Sequence, residues 1–143
     1  MSASSREHYH RFFPITTRWM DNDIYGHVNN VAYYSYFDSA ANSFLIHECG
    51  LDIHGGEIIG FVVSSGCEYL SPLAYPDELE AGLAIEKLGN SSVRYNIGLF
   101  KKGSTLASAH GFFVHVFVTR SDQQAVRIPD RMRTAMAALL TSA

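Results

Sequence analysis

Two carboxylates, an imidazole and three carboxamides stand close together in the run Asp21-Asn22-Asp23-Ile24-Tyr25-Gly26-His27-Val28-Asn29-Asn30. A carboxylate at neutral pH can deprotonate water or attack an electrophilic carbon. Asn29 or Asn30 is a natural N-cap, so a helix starting there would turn its unpaired N–H groups and its positive dipole end back toward the acids. Such a helix start stabilises negative charge that develops beside a nucleophile or base. The same residue types also do no more than cap a helix and shape a turn. Spacing alone leaves both readings open.

The elements that must position this cluster follow from periodicity. Val31 to Glu48 contains no Gly or Pro, and Tyr33, Tyr34, Phe37, Ala40, Ala41, Phe44 and Leu45 recur at helical steps. Tyr36 widens that apolar face, which predicts a largely enclosed helix. Upstream, Arg11 to Trp19 reads as a strand that ends at the acids, with Pro14 marking an edge position. Downstream, Cys49-Gly50 stops the helix and Leu51 to Glu57 is a loop. Ile58 to Leu70 alternates, with Ile59, Phe61, Val63, Ser65, Cys67 and Tyr69 on one face. Gly60, Ser64 and Gly66 lie opposite and would leave room for a ligand or for the helix.

Glu78 to Leu88, Val93 to Leu99 and Thr105 to Thr119 alternate in turn, separated by Gly89-Asn90 and Lys102-Gly103. With the strand before them they predict a four-stranded antiparallel meander whose last strand is the longest. Pro129-Asp130 opens a short helix with Met132, Ala135, Met136, Leu139 and Leu140 in one stripe, packed on the sheet edge. One helix covers one sheet face, so the other face calls for another subunit. The class is α+β.

The order of residues adds more. Arg18-Trp19-Met20-Asp21-Asn22-Asp23-Ile24-Tyr25-Gly26-His27-Val28-Asn29-Asn30, followed by Tyr33 and Tyr36-Phe37-Asp38, resembles the signature of hotdog-fold thioesterases of the 4-hydroxybenzoyl-CoA thioesterase type. The His-Val-Asn-Asn segment is similar to plant acyl-carrier-protein thioesterases, and Tyr69-Leu70-Ser71-Pro72 and Asp77-Glu78-Leu79 resemble a later family pattern. Pro76 stands where the family usually has Gly. The resemblance implies a hotdog fold, an antiparallel sheet wrapped around a long central helix, assembled as a homodimer or homotetramer with sites at the dimer interface. It implies hydrolysis of an acyl-CoA thioester, with Asp23 at the catalytic position, Asp21 structural, and the helix start near Asn30 polarising the thioester carbonyl. His27 would tune Asp23 or orient water, and Tyr25 and Tyr33 would line the acyl or thiol entrance. Coenzyme A carries phosphates, and Arg94, on a hairpin strand, is the candidate to meet them, ahead of Lys101 and Lys102. An acyl-carrier-protein thioesterase and a non-catalytic acyl-CoA-binding module are the alternatives.

Composition narrows the class. A chain of 143 residues, 47% hydrophobic, suits a single domain over 1–143 with a real core. Residues 1–7, small and polar, read as a frayed terminus. The net charge is −3 and the eleven basic residues are dispersed, which argues against a nucleic-acid surface. Two cysteines without a paired motif, no leader-like N-terminus and no apolar run near the roughly 20 residues of a membrane span point to a cytoplasmic protein. Asp21, Asp23 and His27 could be imagined around a metal, but no second ligand pair at metal spacing accompanies them, and neither a metal nor a cofactor is expected. His8, His10, His47, His54, His110 and His115 are scattered, and Cys67 has no Cys-x-x-Cys partner; none is assigned a role.

Overall fold

The computed structural model describes residues 4–141. Its centre is helix α1 (Asn30–His47), which starts one residue earlier than the apolar period suggests and stops before Gly50 at φ +72°. Tyr33, Tyr36, Phe37, Ala40, Ala41, Phe44 and Leu45 are buried, the set picked out by helical spacing. Fully burying a ring such as Phe37 or Phe44 contributes about 1.5–3 kcal/mol.

The sheet has five antiparallel strands: β1 (Arg11–Thr16), β2 (Ile58–Tyr69), β3 (Glu78–Leu88), β4 (Ser92–Lys101) and β5 (Ala109–Thr119), in the order β1-β3-β4-β5-β2. This is the α+β hotdog arrangement, a curved sheet around one helix. The hairpin run is β3-β4-β5, three strands rather than four, because β2 crosses to the far edge beside β5. The longest strand is β2 with 12 residues; β5 begins only at Ala109. Leu79, Leu83 and Ile85 of β3, Val93, Tyr95, Ile97 and Leu99 of β4, and Phe113 and Phe117 of β5 meet α1 in one core.

Strand β2 does not keep one alternation. Its register on β5 shifts between Val62 and Ser64, so Gly60 and Val62 share the core face with Phe117 and His115, while beyond the bulge Ser65, Cys67 and Tyr69 take that face opposite Phe113, Gly111 and Ala109. Ile59 and Phe61 therefore point to the outer face. The space at Gly66 is taken on that face by the Phe112 ring, within 2.6 Å of where a Cβ would stand, and at Gly60 by the Phe117 ring; the helix fills neither.

Residues 4–7 are not frayed; residues 1–3 lie outside the described residues. A 3₁₀ turn, Arg6–His8, lies on the outer sheet face, held by Arg6 Nη2 to Glu80 Oε1 at 2.7 Å and by the Arg6 guanidinium over Phe12 and Phe100 at 5.1 and 4.8 Å. Tyr9 then lies over Gly82 and Gly98, a directly paired couple on β3 and β4 where any Cβ would meet its ring. Helix α2 (Asp130–Ala137) buries Met132 and Met136. The chain after it pairs with β3 beyond the reach of β1, through Ile85 N–H to Leu139 O at 2.8 Å and Thr141 N–H to Ile85 O at 2.9 Å. Among the described residues no helix is long and apolar enough to cross a membrane.

His115 is sealed in this core, 2% exposed, with Nδ1 3.3 Å from the Tyr95 hydroxyl. Burial disfavours its charged form and lowers its pKa from 6.5 to about 4. The unfolded chain therefore binds a proton that the folded chain refuses. Stability should fall as the pH drops from about 6.5 toward about 4, by up to about 3 kcal/mol. Urea unfolding across that window checks this, and His115→Phe should flatten it while leaving the carboxylate-driven loss below about pH 4 in place.

Candidate functional site

The acid-containing loop leaves a 3₁₀ turn, Trp19–Asp21, and returns to α1 through a local lock. Asp23 folds its side chain onto its own loop. Its Oδ1 accepts the N–H of Tyr25 at 2.8 Å and of His27 at 3.4 Å, and its N–H donates to the His27 carbonyl at 2.8 Å. Gly26, at φ +80°, supplies the left-handed step that closes this turn. Oδ2 of Asp23 accepts no hydrogen bond from the described residues.

The N-cap of α1 is Asn29, whose Oδ1 accepts the Val31 N–H at 3.0 Å and whose carbonyl accepts the Ala32 N–H at 2.9 Å. The Asn30 N–H finds no acceptor among the described residues. It stands at the positive end of a helix of 18 residues, where backbone donors look for an anion.

Asp23, His27, Asn29, Asn30, Tyr33 and Tyr69 line one open cavity of about 500 Å³, with Leu70, Ser71 and Pro72 forming its far wall. That wall is tied to the acidic loop by Val28 N–H to Leu73 O at 2.6 Å and by Tyr75 N–H to Asn22 Oδ1 at 2.9 Å. With Pro76 in the position of the family's Gly, the turn still closes, Asp77 N–H donating to Ala74 O at 2.8 Å. Tyr33 and Tyr69 meet edge to face with ring centroids 4.9 Å apart. Burial, and then the neighbouring Cys67, push the Tyr69 phenol up to about 12; burial pushes the Cys67 thiol up to about 11. Both groups are neutral at pH 7, and Asp23 is the one carboxyl-bearing residue among those that line the cavity.

Asp21 has a different setting. It is 3% exposed, and burial works to raise its pKa, but hydrogen bonds from Arg18 and Tyr36 outweigh burial and hold it below the ordinary carboxylate range.

The structure thus brings together five of the residues singled out from the sequence: Asp23, His27, Asn30, Tyr33 and the alternative cap Asn29. Tyr25 sends its N–H to Asp23, but its side chain is 80% exposed and outside the cavity. Arg94 is on the outer face of the sheet, Nε bonded to Glu86 Oε2 at 2.7 Å and guanidinium 3.9 Å over the Phe112 ring, in a separate groove of about 960 Å³. Tyr69 was not assigned to the site from the sequence, although its Tyr-Leu-Ser-Pro motif was the available signal.

The sequence profile of the thioesterase superfamily matches residues 25–108, beginning just after Asp23. The chain belongs to the thioesterase superfamily and is a thioester hydrolase. The crystal structure of the PA5185 protein from Pseudomonas aeruginosa strain PAO1 is 56% identical, with 99% of each chain covered and a TM-score of 0.97. Slr0204, a 1,4-dihydroxy-2-naphthoyl-CoA thioesterase from Synechocystis, is 18% identical over 88% of this chain and 94% of its own, with a TM-score of 0.79. The BH1999 gentisyl-coenzyme A thioesterase is 23% identical over 88% of this chain and 99% of its own, with a TM-score of 0.78. No curated protein matches the sequence.

Removing the cap isolates its contribution. Asn29→Ala should cost about 1 kcal/mol of unfolding free energy, measured in urea, while Asn29→Asp, which keeps an acceptor at the positive helix end, should retain most of it.

Proposed function

We propose that the protein hydrolyses an acyl-CoA thioester to the free acid and coenzyme A, with Asp23 as base or nucleophile and the Asn30 N–H as the oxyanion donor. One arrangement carries this assignment: a carboxylate with an uncommitted oxygen and a helix-start N–H without an acceptor share one cavity. Asp23 Oδ2 takes a proton from water as the hydroxide oxygen joins the thioester carbon, or itself bonds to that carbon before water releases the acid. In either route the carbonyl oxygen gains charge beside the positive end of α1, and the C–S bond breaks as that charge returns. Coenzyme A leaves as its thiolate, which takes up the proton held by Asp23 or one from solvent, and no cofactor is needed to carry it.

His27, at the cavity wall, orients the water in this scheme, Tyr33 borders the acyl group, and Tyr25, exposed outside the cavity, contributes its N–H to hold Asp23. Acyl-CoA as the substrate class is supported by the two relatives named for gentisyl-CoA and 1,4-dihydroxy-2-naphthoyl-CoA. Arg94 is assigned to the nucleotide end, because its terminal nitrogens are left over by the bond from Nε to Glu86. A second copy of the chain is assigned to the free edge of β2, where Phe61, Val62 and Val63 are exposed on a strand paired on one side only. Sedimentation should give at least a dimer, and Val63→Lys should shift the mass toward the monomer.

The decisive assay is thiol release from a panel of aliphatic and aryl acyl-CoAs. Asp23→Asn should lower kcat by about 10²–10⁴-fold with the fold intact by circular dichroism. Turnover within a few-fold of wild type would remove Asp23 from the reaction.

A further inference from the structure

Asp21 lies two residues before Asp23 and does not line the cavity, yet its hydrogen bonds reach both the acidic loop and helix α1, two of the elements that frame it. Oδ1 accepts Arg18 Nε at 3.2 Å and Nη2 at 2.9 Å. Oδ2 accepts the Arg18 N–H at 2.9 Å and the Tyr36 hydroxyl at 2.7 Å. Its backbone carbonyl accepts the Asn29 N–H at 2.7 Å, closing the loop at the helix cap. Tyr36, 5% exposed and in the second turn of α1, supplies the one donor that comes from the helix.

These bonds have a geometric consequence. Asp23 and Asn30 belong to different pieces of backbone, the loop and the helix, and their separation decides whether attacking oxygen and oxyanion donor bracket one carbonyl. The Asn29 N–H to Asp21 carbonyl bond ties the ends of the loop together. The Tyr36 hydroxyl ties the start of the loop to the body of the helix. The first bond alone would leave the loop free to rock about the cap; both together set its tilt.

We infer that Asp21 and Tyr36 are positioning residues for the hydrolysis, holding Asp23 in register with the first turn of α1 without touching the substrate. The inference rests on the assignment of Asp23 made above. The groups that face the Asp21 carboxylate are Arg18 and the Tyr36 phenol, and Tyr36 in turn has Tyr33 at a ring-centroid distance of 6.4 Å. The phenol stays protonated, since burial first and then the bond to Asp21 raise its pKa, so it remains a donor across the working range.

The test is Tyr36→Phe, which keeps the buried ring and deletes one oxygen, assayed for thiol release beside wild type and Asp23→Asn. A displacement near 1 Å costs up to about 10²-fold in rate, and a partial loosening is expected to lower kcat about tenfold with KM within about twofold. The pH at which kcat falls on acidification should also rise, because Asp21 has lost a donor that keeps it ionised. Neither change would accompany a merely structural role, which would lower the melting temperature alone. A folded Tyr36→Phe with wild-type kcat and pH profile, while Asp23→Asn is inactive, overturns the inference and leaves Asp23 in place. An active Asp23→Asn overturns the assignment beneath it, whatever Tyr36→Phe does. Should Tyr36→Phe fail to fold, Asp21→Asn, which removes the charge that the Tyr36 hydroxyl and Arg18 hold, is read by the same two measurements, and an unchanged kcat and pH profile there overturns the inference equally.

Discussion

A helix whose broad apolar face must be kept from water is the constraint on which the rest of this structure depends. Helix α1 buries aromatic and aliphatic side chains along one broad face, with Ser35, Asp38 and Ser39 exposed on the other, and one curved sheet has to cover the buried face. A curved sheet reaches round the helix only if a strand is placed at its far edge, which is where β2 goes. The connection from β2 to β3 then has to pass over the start of α1, and there it meets the acidic loop through Leu73 and Tyr75. The site cavity is the gap those two crossings leave.

Beside that gap two carboxylates of the same short run have opposite surroundings. Asp21 is enclosed and its side chain accepts four hydrogen bonds, so both oxygens are spent on holding the loop. Asp23 satisfies one oxygen from the backbone of its own turn, and its other oxygen accepts no hydrogen bond from the described residues. The difference lies in which neighbours donate.

The helix and the acidic loop were legible in the sequence because their signals are local: a run without Gly or Pro, a cap, and a dense motif within one stretch. The misread features depend on partners far away in the chain. A single-residue bulge near Val63 reverses the face of half of β2, and alternation read along β2 alone cannot register it. Gly66 looked like space for the helix, but Phe112, across the sheet, fills it from the other side. The N-terminal residues looked unattached because the slot for Tyr9 is built by Gly82 and Gly98, which become neighbours only when β3 and β4 pair. That β2 sits beside β5 is likewise a long-range pairing with no mark in local periodicity.

The two faces of the sheet also constrain how a coenzyme A ester could be held. The groove with Arg94 is on the outer face and the cavity with Asp23 is on the inner side, and the packed sheet between them offers no passage. Both approach the same strand end: Gly66, Cys67 and Glu68 border the groove, and Tyr69 and Leu70 border the cavity. A ligand that meets Arg94 with its nucleotide and Asp23 with its thioester has to round the sheet at this end of β2. The exposed apolar residues of that strand, Phe61 to Val63, lie at its opposite half. A partner strand docked there can therefore bury them while the Gly66 to Leu70 end remains the route between the two cavities.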